Sequence, residues 1–158
     1  MDEVIKLIDS RTKENVNYEL TTLWWDGSVM TSDKKDNTVY REKDGLFYRL
    51  VGAEKELRTS LVVTDSNQFS RACYIATMIK DIKTIIIDKN YNLNGATILI
   101  PENCTLQFKA GSLTNGTLFG DNSKIESDYD PFENITLTGD WIELTPYLFY
   151  NDNFFDTI

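Results

Sequence analysis

The sequence predicts a mainly β protein built around a short parallel β-helix, and residues 94–141 lead to that prediction. Short apolar segments recur there, and Gly, Asn or Asp follows most of them closely. Segments this short favour a coil that stacks on itself, because the strands of a sandwich usually run about five or six residues. The segments are Thr97–Ile100, Thr105–Phe108, Ser112–Leu113, Thr117–Phe119, Lys124–Glu126 and Ile135–Leu137.

The spacing of similar segments supports the same fold class. They follow one another at intervals of about 20 residues, which is the period of a solenoid rather than of a hairpin. The pairs are Thr84–Ile87 with Thr105–Phe108, Tyr91–Leu93 with Ser112–Leu113, and Thr97–Ile100 with Thr117–Phe119. We therefore expect residues 84–143 to form stacked parallel coils with these side chains inward: Ile98, Ile100, Leu106, Phe108, Leu113, Leu118 and Ile125.

The N-terminal part of the chain carries weaker signals. Helical spacing of three apolar residues predicts a short N-terminal helix or an arm, and these residues are Val4, Leu7 and Ile8. Leu20–Gly27 then predicts a strand closed by its Asp-Gly turn. Trp24 and Trp25 would point to opposite faces of that strand, so at least one should meet another surface. That surface is either the protein's own core or a partner subunit.

Residues 38–51 predict a β-hairpin. Two β-rich arms flank Lys43-Asp44-Gly45, where glycine supplies the positive φ that a tight turn demands. A two-stranded ribbon is marginal alone, so this hairpin must pack on another element. Residues 53–58 predict a charged connector. We therefore expect residues 1–58 to form an N-terminal β-ribbon or attachment module.

Residues 65–80 predict the one α-helix of the chain. Asp65 stands three residues before Gln68, which is the spacing of a capping box. One apolar stripe runs along the predicted helix through Phe69, Ala72, Cys73, Ala76 and Ile79. Ile85–Ile87 then predicts a fully buried strand. A helix at this place would cap the open end of the stack, so we expect a capped β-helix over residues 59–145 and an aromatic segment over 146–158.

Charge and composition exclude several classes of partner. The chain has 16 basic and 25 acidic residues, a net charge of −9, which argues against nucleic acid and against an anionic membrane surface. No apolar run of about 18 residues occurs, so no membrane insertion is expected, and the N-terminus does not resemble a signal peptide. Cys73 and Cys104 are then expected to be reduced and buried.

Catalytic chemistry has little support, and we expect no enzyme and no cofactor. The chain has no histidine, which removes His-based triads, the commonest general base and histidine-containing zinc sites. Polysaccharide hydrolysis needs a pair of carboxylates, and the candidates Asp128, Asp130, Glu133, Glu126 and Asp140 are better explained as solvated turns. Asp152 and Asp156 lie in an Asn-rich segment but lack the spacing of a calcium loop, so no metal site is expected.

The segment 65–111 resembles the opening of the right-handed, single-stranded β-helices of the pectate-lyase superfamily. In those proteins a capping helix leads to a strand, a Tyr-Asn-Leu-like segment and an Ile-Pro-x-Asn-x-Thr-Leu step, which stand here at 91–93 and 100–106. The segment 111–120, Gly-Ser-Leu-Thr-Asn-Gly-Thr-Leu-Phe-Gly, resembles segments in β-helical proteins of gut Bacteroides and of their tailed phages, of the crAss-like type. The N-terminal ribbon, with Val39-Tyr40 and Phe47-Tyr48-Arg49, resembles modules that precede such β-helices in phage tail fibres and tailspikes.

This resemblance implies a right-handed helix and a structural virion component of a tailed bacteriophage. Such a component would be a tail or head fibre, spike or adaptor that mediates assembly or host attachment. It would be located in the phage particle after synthesis in the cytoplasm of the bacterial host. The alternative is a carbohydrate-binding or polysaccharide-degrading β-helix, which the small number of coils and the missing histidines disfavour.

The expected partners are other virion proteins and further copies of the chain. The resemblance implies a homotrimer or another homo-oligomer, with a host surface glycan as a further candidate. The aromatic C-terminal segment either closes its own coil or docks on a neighbour. The expected contact residues are Trp24, Trp25, Tyr40, Phe47, Tyr147, Phe149, Phe154 and Phe155.

Overall fold

The computed structural model describes residues 4–8 and 15–144, and this part of the chain is mainly β with one α-helix. The chain divides into two compact units between Lys55 and Glu56. The first unit contains a four-stranded antiparallel sheet in the order β1-β2-β4-β3. Its strands are β1 Val4–Ile8, β2 Asn15–Leu20, β3 Tyr40–Lys43 and β4 Leu46–Leu50.

Two N-terminal predictions are wrong. The segment predicted as a helix or an arm contains β1, whose five residues all pair antiparallel with β2, because strand pairing outweighs a short helical pattern. The strand predicted over Leu20–Gly27 ends at Leu20, and beyond it only a bridge between Leu23 and Val29 remains. The predicted Asp-Gly turn is present, since the Gly27 amide donates to the Trp24 carbonyl at 3.0 Å.

The predicted hairpin is confirmed. Lys43 pairs with Leu46 across a two-residue turn, in which Asp44 and Gly45 have φ of 54° and 80°. Positive φ at both turn residues matches the twist of the flanking strands. The hairpin is also packed as expected, because β4 continues the sheet by pairing with β2.

The second unit contains the helix α1, Gln68–Met78. Its N-cap is Asn67, whose side chain accepts a hydrogen bond from the Ser70 amide at 3.1 Å, so the capping box predicted at Asp65 is wrong. Gln68 is buried instead, and its Nε2 donates to the Val62 carbonyl at 2.9 Å. The predicted stripe is buried throughout, and the helix contacts the strands β5 Glu56–Arg58, β6 Thr84–Ile87 and β8 Thr97–Leu99.

The remaining strands of this unit are short at first and long at the end. They are β7 Asn90–Asn92, β9 Thr105–Phe108, β10 Ser112–Glu126 and β11 Phe132–Leu144. The prediction of a charged connector over residues 53–58 is wrong at its end, because β5 pairs in parallel with β6. Leu57 explains the strand, since it is buried between two exposed charged neighbours.

Strand pairing in the second unit is parallel and follows the predicted spacing. Three ladders form, and the chain returns to the neighbouring position after about 20 residues at each step but one. The exception is the step from β5 to β6, where Glu56 pairs with Thr84, 28 positions later, and α1 lies between them. The first ladder runs β5, β6, β9, the end of β10 and the end of β11. The second and third run from β7 and from β8 through β10 to β11.

Buried side chains lie on the strands of all three ladders. Six of the predicted inward side chains are buried, namely Ile100, Leu106, Phe108, Leu113, Leu118 and Ile125, and Ile98 is half-buried. Asparagines occupy the corners between ladders in the left-handed conformation, with φ between 53° and 59° at Asn94, Asn103, Asn115, Asn122 and Asn134. Asn is one of the few residues other than Gly that adopts this conformation readily.

Candidate functional site

An aromatic loop follows β2 in the first unit and contains Trp24 and Trp25. Their rings pack edge to face, with centroids 5.8 Å apart and an interplanar angle of 61°. A short turn holds the loop, because the Trp24 amide donates to the Ser28 carbonyl at 2.8 Å. The Asp26 carboxylate accepts hydrogen bonds from the amide and the hydroxyl of Ser28, and these bonds lower the pKa of Asp26.

A lysine secures the other side of this loop. Lys34 Nζ donates to the Val29 carbonyl at 2.8 Å and to the Ser28 hydroxyl at 3.0 Å, and it lies 5.6 Å from the centroid of Trp24. Within the described part of the chain, both indole Nε1 atoms are buried and have no hydrogen-bond partner, although both side chains are half-buried overall. The exposed part of each ring is therefore carbon, which suits contact with an apolar surface.

The other predicted contact residues do not join the two tryptophans. Tyr40 is completely buried, and its hydroxyl accepts a hydrogen bond from Arg49 Nη1 at 2.7 Å. Its expected role in a partner contact is therefore wrong, because the ring belongs to the core of the first unit. Phe47 is half-buried on β4. The remaining four expected contact residues lie outside the described residues: Tyr147, Phe149, Phe154 and Phe155.

The acidic residues considered for catalysis are all exposed: Glu126, Asp128, Asp130, Glu133 and Asp140. Two of them accept structural hydrogen bonds, Glu126 from Gln107 Nε2 at 3.0 Å and Asp130 from the Phe132 amide at 3.1 Å. Residues 4–8 and 15–144 contain no group of three metal-ligating side chains, and Asp152 and Asp156 lie outside them. The same ranges contain no helix long and apolar enough to cross a bilayer.

The two cysteines are buried free thiols, as expected from the sequence. Burial raises the pKa of Cys104 to about 12 and also raises the pKa of Cys73. A thiol that stays protonated at neutral pH is a poor nucleophile. These groups therefore act as core side chains rather than as reactive ones.

A cleft of about 510 Å³ lies in the second unit beside the end of α1. The segment after the helix contributes Lys80, Ile82 and Lys83, and the facing corners contribute Leu99–Asn103 and Asp121. Two basic and two acidic side chains therefore line the same cleft. Leu99 is 69% exposed there, although leucine is usually buried.

Sequence reasoning missed this cleft, although one signal pointed to it. Side chains alternate between the two faces of a strand, so inward Ile98 and Ile100 require Leu99 to point outward. The same rule turns Phe119 outward beside buried Leu118. No pattern in the sequence indicates the lysines of the cleft. They are distant from Glu102 and Asp121 along the chain, and only the folded structure brings the four residues to one cleft.

Comparisons with known proteins gave no assignment. No protein-family model matches the chain, and neither a curated protein nor a solved structure matches it.

Proposed function

We propose that this chain is a structural component of the virion of a tailed bacteriophage. It would be a tail or head fibre, spike or adaptor, made in the host cytoplasm and mediating assembly or host attachment through other virion proteins. The proposal combines the resemblance described above with one structural observation. Residues 65–111 resemble the β-helices of the pectate-lyase superfamily, and residues 111–120 and the N-terminal ribbon resemble phage proteins. The structural observation is the set of three parallel ladders that share one repeat and stack their corner asparagines.

The same observation supports a finer description of the fold as a short right-handed β-helix. Connections between parallel strands of one sheet are almost always right-handed. Each level of the ladders adds buried aliphatic side chains beneath the previous level, with Ile85, Leu106 and Ile125 in one column of the first ladder. A stack of this kind is a stiff spacer, which suits a virion part that holds other components in place and catalyses no reaction.

Antibody labelling of phage particles tests this function. Gold-labelled antibody against the purified chain should bind virions that carry its gene at one defined place on the tail, head or collar. Peptides of the chain should also be found by mass spectrometry in virions purified by density gradient. Virions that carry the gene but lack both the label and the peptides would overturn the proposal.

One observation favours a carbohydrate-binding function as the second candidate. Trp24 and Trp25 present ring carbon beside the polar groups of Asp26, Ser28 and Lys34, and sugars stack their apolar faces on such rings. Titration of host surface polysaccharide should then change tryptophan fluorescence, and Trp25→Ala should reduce that change. Shortening of the polysaccharide during the titration would instead indicate a degrading enzyme.

We also infer that the chain acts as a homo-oligomer. The resemblance implies a homotrimer or another homo-oligomer. The mass of the particle in solution measures the number of copies.

A further inference from the structure

Two large apolar side chains lie next to each other on the outside of the third ladder. Leu99 on β8 pairs with Phe119 on β10, and they are 69% and 46% exposed. Both point away from the core, because side chains alternate along a strand and their preceding neighbours face inward. Leu118, before Phe119, is buried, and Ile98, before Leu99, is half-buried. When another surface covers such a pair, apolar area is removed from water, and this favours association.

The cleft beside Leu99 carries charges of both signs at its edges. Lys80 and Lys83 come from the segment after α1, whereas Glu102 follows β8 and Asp121 belongs to β10. Within the described ranges, none of these four residues forms an ion pair with another. Their charges are therefore free to interact with a partner that brings opposite charges to both sides.

We propose that this face, defined by Leu99, Phe119 and the four charged residues, binds the same face of a second copy of the chain. A twofold axis reverses one copy relative to the other, so the lysines of each copy meet the acids of its partner. The two apolar pairs are then covered at the centre of the contact. This inference rests on the proposed homo-oligomer and names the surface that forms it.

The charge distribution favours a second copy over other occupants. The chain has a net charge of −9, so most pairs of its surfaces repel one another, whereas this face carries two positive and two negative side chains. Nucleic acid is disfavoured because the two acids offset the two lysines.

Sedimentation of the full chain at increasing concentration tests the apolar part of the proposal. The chain should associate into a dimer, and Leu99→Lys should weaken the association by about 10- to 100-fold through the lost apolar contact. Val29→Lys is the matched control, because Val29 is 68% exposed in the first unit and the same charge is added. The control should leave the association unchanged, and circular dichroism should show that both variants are folded.

Reversing the signs of the charged side chains tests whether the lysines of one copy meet the acids of the other. The double variant Lys80→Glu/Lys83→Glu should weaken the dimer about tenfold, because four acids then line each face. Adding Glu102→Lys and Asp121→Lys to the same chain should restore the dimer, since each face again carries both signs. A quadruple variant that stays dissociated would overturn the reversed pairing.

The remaining outcomes also decide the question. A monomer at every concentration, a trimer, or a dimer that is insensitive to Leu99→Lys would overturn the proposed face. None of these results bears on antibody labelling of virions, so the proposed virion function stands or fails separately.

Discussion

Asn134 Nδ2 donates a hydrogen bond to Asn115 Oδ1 at 2.9 Å, and the two residues occupy the same corner on successive levels of the parallel unit. Both have a left-handed backbone, with φ of 56° and 57°. Asn122 donates to Asn103 in the same way at the next corner. Asparagine thus serves two purposes at these corners, because it tolerates the turn and links one level to the next.

Substitutions of Asn115 should separate these two purposes. Asn115→Gly keeps the turn and loses the side-chain bond, so the free energy of unfolding should fall by about 1 kcal/mol. Asn115→Ala loses the same bond, and alanine adopts the left-handed conformation less readily than glycine or asparagine, so it should cost about 1–2 kcal/mol more than the Gly variant. Urea unfolding of the two variants measures both differences. Equal stability of the Gly and Ala variants would contradict the left-handed corner.

Leu106→Asp should unfold the second unit. Leu106 is completely buried between Ile85 and Ile125 on the first ladder, and an unpaired buried charge costs several kcal/mol, roughly. Leu99→Asp is the matched control, because the same substitution at an exposed position should change stability by only about 0.5 kcal/mol. Circular dichroism at low protein concentration compares the two, and a fully folded Leu106→Asp variant would rule out the inward position of Leu106.

Substitutions at the neighbouring positions 110 and 111 should change the free energy of unfolding in opposite directions. A Cβ on Gly111 would lie 2.5 Å from the Ile87 carbonyl oxygen, so Gly111→Ala should destabilise by about 1–3 kcal/mol. Ala110 is exposed and has φ of 72°, so Ala110→Gly should stabilise by about 1 kcal/mol. Thermal unfolding measures both effects. A loss of stability in both variants would show that the backbone of this corner differs from the one described.

The stability of the second unit should depend on alkaline pH through its buried thiols. Burial raises the pKa of Cys104 from an ordinary value of 9.0 to about 12. The folded state therefore keeps a proton that the unfolded state loses, and the stabilisation is complete below about pH 9 and is lost as pH rises toward 12. Urea unfolding between these limits should show a falling free energy, and Cys104→Ala should reduce the slope. An unchanged slope in that variant would mean that the thiol is exposed to solvent.

The role of the aromatic segment 146–158 remains a prediction from the sequence. If this aromatic segment docks on a neighbouring copy, a chain ending at Leu144 should have a lower mass by light scattering than the full chain. If it closes its own coil, the shorter chain should keep its mass and lose stability. A full chain that is monomeric, with mass and stability unaffected by the deletion, would contradict both roles.

Local signals in the sequence predicted the elements whose partners are close along the chain. The Asp44-Gly45 turn identified the hairpin, and the apolar stripe identified the helix, although its cap lies at Asn67 rather than at Asp65. The repeat of about 20 residues also predicted which segments pair in the second unit. The turn and the stripe are short-range signals, which depend less on distant partners than an isolated strand does.

Elements that depend on distant partners were missed. The local pattern at β1 predicts a helix or an arm, because only its pairing with β2 makes it a strand. The residues of β5 predict a connector, since a single buried residue, Leu57, is too short a pattern to indicate a strand. The sequence predicts a partner contact at Tyr40 because it does not distinguish a buried aromatic ring from an exposed one. The cleft beside Leu99 likewise depends on the approach of α1 to the corners of the ladders.

Nuclear magnetic resonance of the isotope-labelled full chain tests the parallel stack most directly. Leu118 lies between Ile98 and Leu137 in parallel register, so its amide proton should show contacts to residues of both neighbouring strands. Short contacts between α-protons of paired residues should be absent there and present between β3 and β4, which are antiparallel. Strong α-proton contacts between Leu118 and either partner, or contacts to neither strand, would contradict the account.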